Sequence, residues 1–502
     1  MRKGVHWYDS IFILLFIYLF VLQIQAIWPF TIDDMFISLR YARHWVAGEG
    51  LLWNLHSPPV EGYSNFSFVV LGALALILNS DPVLVLKSAG VVGLFFTCFF
   101  IFFISRFWFE RRESLLPCIG ILLYKGQIIW TVAGLETTVY QALLCGAVYF
   151  ALRGLGYHSF PGSRGSSQPT SCFFSGVFLS LAGMTRPETP AFMAVFFILM
   201  LWDRPQIEKK MFWRGMVLFV LPLLFLYLPY FLWRWHYYGF LFPNSVYCKS
   251  LVNSATVLDK NYLKLIWPFA IFACFACVRK PDKRYCFLVF PSLLYLLTLL
   301  GSDPVAAFDN RLFLPAFVLL LPLALLGISE AVLMYLKQRD QTFIRALYIV
   351  SFCMAFFFIP TATLEEYRYF TNNPVQGEQL RKKVVHWLNS HTQEQDTVVL
   401  VDAGYIPYHS KLNFVDSYCL NNLAMTQYPK AQMYDQFCHQ ILKEKPQVII
   451  LTSLIEQGQV IYIPSDICLK ALLNRQGDYK LVKTFFTGSA DSKYQYELFT
   501  NF

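Results

Sequence analysis

Twelve apolar runs separated by short polar loops leave this chain one economical way to satisfy its backbone, which is helix after helix packed in lipid. The runs are Ile11–Trp28, Phe66–Leu78, Val83–Ser105, Leu115–Val132, Leu135–Leu152, Phe173–Thr185, Ala191–Trp202, Gly215–Trp235, Leu265–Val278, Tyr285–Leu300, Phe313–Leu336 and Phe343–Ile359. At 56% hydrophobic and 15% charged residues, the composition excludes an ordinary soluble enzyme. The formal net charge of +9 does not indicate nucleic acid, because the basic residues fall in short clusters between the runs rather than along one face.

Those clusters set an orientation. With the N-terminus in the cytoplasm, Arg106 with Arg111–Arg112, Arg153 with Arg164, Arg204 through Arg214, Arg279 through Arg284, and Lys337 through Arg345 all stay inside. This holds only if Phe66–Leu78, thirteen residues long, lies at the interface without crossing. The expectation is eleven spans in residues 1–361, with the first outer loop at 29–82 and an extracytoplasmic α/β domain at 362–502. The first run follows Arg2 and Lys3 but precedes no small-residue cleavage site, so it reads as a retained anchor.

The outer domain is read from a change to mixed polar sequence near Leu364. Helix is expected over Val375–His391 and Met433–Lys445, and strand over Thr397–Val401, Pro446–Leu451, Tyr479–Phe486 and Tyr494–Phe499. Cys419, Cys438 and Cys468 lie here, and three thiols allow at most one disulfide among themselves. Gly154–Thr170 reads as a flexible inner linker. Cys274 and Cys277 read as packing residues inside a span. The sequence contains no GxGxxG, P-loop or HExxH motif.

The topology gathers the conspicuous polar groups on the outer side, where a pocket between interhelical loops can form. They are Asp33–Asp34, Glu61, Glu136, Arg186 with Glu188, Asn244 with Lys249, and Asp303 with Asp309 and Arg311. A carboxylate at Asp33 or Asp34 can deprotonate an acceptor hydroxyl, and can equally cap a helix or pair with Arg40, about two turns along the same helical face. Glu136 suits a pocket or a helix N-terminus, and Arg186 can pair with Glu188. Glu61 and Tyr63 can bind sugar hydroxyls, as Tyr41, Trp53 and Tyr63 can stack on sugar rings, although aromatics are also ordinary at membrane interfaces.

The run Ile32-Asp33-Asp34-Met35-Phe36 through Arg43, continuing by Gly48-Glu49-Gly50, Trp53-Asn54 and Glu61-Gly62-Tyr63-Ser64-Asn65, resembles the first outer loop of bacterial GT-C glycosyltransferases. The similarity is greatest to the group containing the mycobacterial terminal arabinofuranosyltransferase. Gly134-Leu135-Glu136-Thr137, Thr185-Arg186-Pro187-Glu188, Pro243 through Lys249, Asn310 through Ala316 and Val401-Asp402-Ala403-Gly404 follow in the matching order, over nearly the whole chain. Two departures stand out: Asp303-Pro304 and Asp309 replace a glycine- and aromatic-rich stretch before Arg311, and Cys248 replaces a small residue before Lys249.

The resemblance implies an enzyme of the bacterial cytoplasmic (inner) membrane, serving cell envelope biogenesis. It would move a sugar, with inversion, from a polyprenyl-phosphate carrier to an outer glycan, lipid or protein. Asp33 would be the general base and Asp34 its assistant, although which of the two takes the proton is left open. Arg40, Glu61, Tyr63, Glu136, Arg186, Glu188, Asn244, Lys249, Asp309 and Arg311 would contact the donor phosphate or sugar. Cations near the phosphate can stabilise its departure without a nucleotide-type metal cradle. No metal site is assigned, and a divalent cation is left open. The competing readings are a transporter or flippase for lipid-linked sugars, or a non-catalytic scaffold; a transporter should carry polar groups at mid-membrane, where these spans have almost none.

Overall fold

The computed structural model describes residues 7–55, 57–160, 162, 164–204, 209–249, 260–299, 310–336, 340–371, 378–456, 458–488 and 492–501. Asp303 and Asp309 lie outside them.

Helix α1 (Trp7–Ile27) leads into the loop carrying Asp33 and Asp34, and α2 (Met35–Val46) follows at once. Helix α3 (Phe66–Ile77) has twelve residues and packs on α2. At 1.5 Å per residue it reaches about 18 Å, short of the roughly 30 Å of a hydrocarbon core. Then come α4 (Pro82–Ser105), whose N-cap Asp81 accepts from the Val83 amide, and the short pair α5 (Leu116–Leu123) and α6 (Lys125–Val132). These two are bent by 70° where one run was expected.

Helices α7 (Thr137–Gly154), α8 (Pro169–Thr185) and α9 (Thr189–Trp202) follow. A thirty-residue helical stretch from Lys209 to Tyr238 comprises α10 (Lys209–Pro222), a π turn after Pro222, and α11 (Leu228–Tyr238). Gly239, with φ of 78°, ends it in the left-handed conformation that glycine adopts without strain. Helix α12 (Asn244–Lys249) is a short segment; α13 (Lys260–Arg279), α14 (Lys283–Thr298), α15 (Leu314–Tyr335) and α16 (Gln341–Ala355) complete the bundle. Helix α15 is buried along most of its length and packs on α13, α14 and α16.

Among the described residues five helices are long and apolar enough to cross a membrane, and the bent pair would make a sixth. The eleven expected spans therefore include helices shorter than a straight crossing needs, such as α9 with fourteen residues.

The C-terminal part opens with α17 (Leu364–Thr371) and α18 (Glu378–His391). Strand β1 (Thr397–Leu400), helical turn α19 (Tyr405–Tyr408), β2 (Asn413–Asp416), α20 (Leu423–Gln427), α21 (Met433–Lys443), β3 (Val448–Glu456), β4 (Gln459–Tyr462), α22 (Pro464–Gln476), β5 (Lys480–Gly488) and β6 (Ser492–Thr500) follow. The sheet order is β2-β1-β3-β6-β5, with β4 on β3; β1 runs parallel to β2 and β3, and the other pairs are antiparallel. Val398, Val399 and Leu400 are all buried, as a parallel strand covered on both faces requires. Strands β2 and β4 and helix α22 escaped the sequence reading, the strands because four residues carry too little periodicity.

Two disulfides close this region. Cys438 pairs with Cys468 within the outer domain, and Cys419 pairs with Cys248 across 171 positions.

Candidate active site

Asp34 and Lys249 line one pocket of about 390 Å³, open mouth included, between the bundle and the outer domain. Asp34 sits just before α2, and no hydrogen bond to its carboxylate is made among the described residues. Lys249 ends α12, and its ammonium likewise has no hydrogen bond or ion pair among the described residues. Burial pulls the Lys249 ammonium below the usual lysine range, and Asp34 works against that fall.

The remaining walls come from the first outer loop and the ends of two helices. Ser38, Gly62, Tyr63, Asn65, Glu136, Ser245, Arg311 and, from the outer domain, Leu420 all face the pocket. The Ser245 hydroxyl is buried with no hydrogen-bond partner among the described residues, leaving a polar atom ready for a ligand.

Glu136 anchors the wall that carries Arg311. Gly134, with φ of +79°, turns the chain ahead of it, and a Cβ there would strike Met35. The Glu136 carboxylate accepts from Arg186 Nη1 at 2.9 Å, Arg311 Nη2 at 3.1 Å and Asn65 Nδ2 at 2.9 Å. Arg311 also donates to Thr137 Oγ1 and lies over the Trp130 ring, 4.9 Å from its centroid. Two guanidiniums share the Glu136 carboxylate, and Glu188 balances Arg186, so the cluster is charge-balanced and holds Arg311 at the pocket wall. Arg186 donates to Glu188 Oε1 at 2.6 Å, the mutual pairing anticipated as the plain alternative.

Asp33 is turned the other way and is not among the pocket residues. Its carboxylate accepts from the backbone N–H of Gly404 and Tyr405 at 2.9 Å each, and pairs with Arg381 at 3.0 Å. Arg381 also pairs with Asp402 at 3.1 Å, and the Tyr494 and Tyr496 hydroxyls donate to Asp402. Burial pushes the Asp33 carboxyl up to about 6; Arg381 pulls it down and the nearby Asp402 charge pushes it further up. The glycine end of β1, where a parallel sheet could take a ligand, is thus occupied by Asp33.

Several residues expected at a donor site make contacts within the protein. Arg40 does not pair with Asp33; it donates to the carbonyls of Trp53, Pro407 and Leu412 and to Asn54, joining the first outer loop to the outer domain. Buried Glu61 pairs with Arg234 at 2.7 Å. Tyr63 borders the pocket, but its hydroxyl meets the Tyr238 hydroxyl at 3.0 Å. Asn244 donates to the carbonyls of Cys419 and Leu420. Asp309 lies outside the described residues. Among the described residues no three His, Cys, Asp or Glu side chains form a metal-binding group.

The sequence reading missed Ser38, Asn65, Ser245, Leu420 and Arg381. The first four are ordinary polar or apolar residues of loops and short helices, and only the three-dimensional meeting of the two parts exposes them. Arg381 stands beside Lys382 and Lys383 in α18, with nothing local to mark it as buried.

Comparison with known proteins gives the architecture a context. A family model described as a domain of unknown function, DUF8728, matches residues 366–499. Curated protein sequences give no match. The structure of ArnT from Cupriavidus metallidurans bound to undecaprenyl phosphate matches over 97% of this chain and 98% of that one, with a TM-score of 0.59 and 11% identity. The archaeal oligosaccharyltransferase AglB from Archaeoglobus fulgidus, in complex with an inhibitory peptide and a dolichol-phosphate, matches over 92% of this chain and 75% of that one, with a TM-score of 0.60 and 10% identity. The arabinofuranosyltransferase AftD from Mycobacteria matches over 98% of this chain, at a TM-score of 0.54 and 13% identity; this chain spans 40% of AftD. The chain therefore has the GT-C fold.

Proposed function

We propose that this chain, built on the GT-C fold, is a membrane glycosyltransferase that takes a sugar from a polyprenyl-phosphate carrier and transfers it, with inversion, to an extracytoplasmic glycan, lipid or protein. The observation that carries the reading is that Asp34 and Lys249 line one pocket, neither side chain having a hydrogen bond or ion pair among the described residues, beside the Glu136–Arg311 cluster. Charged groups left open at a buried edge are costly unless a ligand meets them.

The roles follow from chemistry. The acceptor hydroxyl oxygen attacks the anomeric carbon while the bond from that carbon to the carrier phosphate oxygen breaks. Asp34 takes the hydroxyl proton, and the departing polyprenyl phosphate carries the bonding electrons away. Lys249 and Arg311 offset the charge that builds on that phosphate. Asp34, rather than Asp33, is assigned as base, because Asp33 spends its oxygens on Gly404, Tyr405 and Arg381. Glu136 holds Arg311 in place, Ser38 donates to Asn65 and Asn65 to Glu136, and the Ser245 hydroxyl is the group left to bond a sugar hydroxyl.

The basic loops support an N-terminus in the cytoplasm and a C-terminal domain outside. Two disulfides support the same orientation, since such bonds persist on the oxidising side of a cytoplasmic membrane. The test is a mass-spectrometric comparison of envelope glycans from cells with and without the protein. A glycan, lipid or protein that loses one sugar residue supports transfer; accumulation of the intact lipid-linked sugar on the inner leaflet would favour a flippase instead.

A further inference from the structure

Helix α12 brings Lys249 to the pocket, yet its side-chain hydrogen bonds and its disulfide run to the C-terminal domain. Asn244 Nδ2 donates to the Cys419 and Leu420 carbonyls at 2.9 Å each, and Thr426 Oγ1 donates to Asn244 Oδ1 at 2.8 Å. Lys430 Nζ donates to the carbonyls of Tyr247 and Cys248, the latter at 3.2 Å. Cys248, the residue before Lys249, is disulfide-bonded to Cys419. On the other side, the Asn244 amide donates to the Glu61 carbonyl, and Tyr247 meets the Phe240 and Phe242 rings edge-on.

The receiving segment is itself built to hold a shape. The Asp416 carboxylate accepts from the backbone N–H of Tyr418, Cys419 and Asn421 and from the Asn421 side chain. Cys419 takes a φ of 101°, a conformation that a non-glycine residue keeps only when its surroundings enforce it. Tyr41 donates to Asn421 Oδ1, and Leu420 forms part of the pocket wall.

From this we infer that the C-terminal domain positions the cation that receives the carrier phosphate: residues 416–430 hold α12 through Cys248, Asn244 and Lys430, and so fix Lys249 in the pocket that Asp34 also lines. This rests on the reading of the pocket as a polyprenyl-phosphate site. Cys248, Cys419, Asn244 and Lys430 are positioning residues, acting through Lys249. The matched domain of unknown function is then a working part of the donor site.

The experiment measures polyprenyl phosphate binding to the full-length protein in nanodiscs. Five proteins are compared: wild type, Lys249→Met, Cys248→Ser/Cys419→Ser, the triple variant, and Cys438→Ser/Cys468→Ser. Loss of one charge-assisted contact predicts roughly tenfold or greater weakening for Lys249→Met and for the Cys248/Cys419 variant. The triple variant should bind no more weakly than Lys249→Met, because the disulfide acts through that lysine. The Cys438/Cys468 variant should bind as wild type does. If Cys248→Ser/Cys419→Ser fails to fold, Lys430→Met takes its place in the cycle.

Wild-type protein that does not bind the probe would overturn the functional reading and this inference with it. Binding by wild type that the Cys248/Cys419 change leaves intact, or losses that simply add in the triple variant, would overturn the inference alone.

Discussion

Asp33 and Arg381 form an ion pair at 3.0 Å that joins the first outer loop to the outer domain, while the adjacent Asp34 faces the pocket. Two neighbouring carboxylates therefore do different work. Asp33→Asn should lower thermal stability by about 2 kcal/mol, less than for a fully orphaned buried charge because Asp402 still neutralises Arg381. Differential scanning fluorimetry would register this loss for Asp33→Asn and little or none for Asp34→Asn.

Gly62 lies directly beneath Asn421, where an added Cβ would collide with the side-chain amide. Gly62→Ala should cost about 1–3 kcal/mol through overpacking and should loosen the segment that carries Cys419 and Leu420. Hydrogen exchange over residues 416–422 should rise, with exchange in α15 unchanged.

Lys249 must be protonated to hold a phosphate, and burial draws it below the ordinary lysine range. Its charge is lost as pH rises through that lowered pKa, so polyprenyl phosphate binding should decline on the alkaline side before a free lysine would titrate. Lys249→Arg should keep binding and flatten that alkaline limb, because a guanidinium stays charged there. A binding curve from pH 6 to pH 10 reads both.

A reporter fused after Phe502 should be active outside the cytoplasm. A cytoplasmic signal would contradict the orientation drawn from the basic loops and from the two disulfides.

The sequence made the pocket's ingredients legible where they follow from lipid. Glu136, Lys249 and Arg311 stand out because charge at the end of an apolar run needs a reason, and the topology puts them on one side with Asp34. The division of labour between Asp33 and Asp34 was not legible. It depends on Arg381 and on the Gly404 and Tyr405 amides, more than 340 positions away, and no periodicity encodes such a contact. Arg40 illustrates the same limit: helical spacing brings it near Asp33 along α2, but carbonyls of the outer domain claim it. Cys248 read as a local departure until Cys419 arrived beside it.

The central claim is that Asp34 removes a proton from an acceptor during glycosyl transfer. It is tested most directly by replacing the native protein with Asp34→Asn in cells and measuring the glycan product by mass spectrometry alongside the protein level. The account predicts that the product disappears, as in cells lacking the protein, while Asp34→Asn is present at normal abundance and thermal stability. Undiminished product from that variant would contradict it.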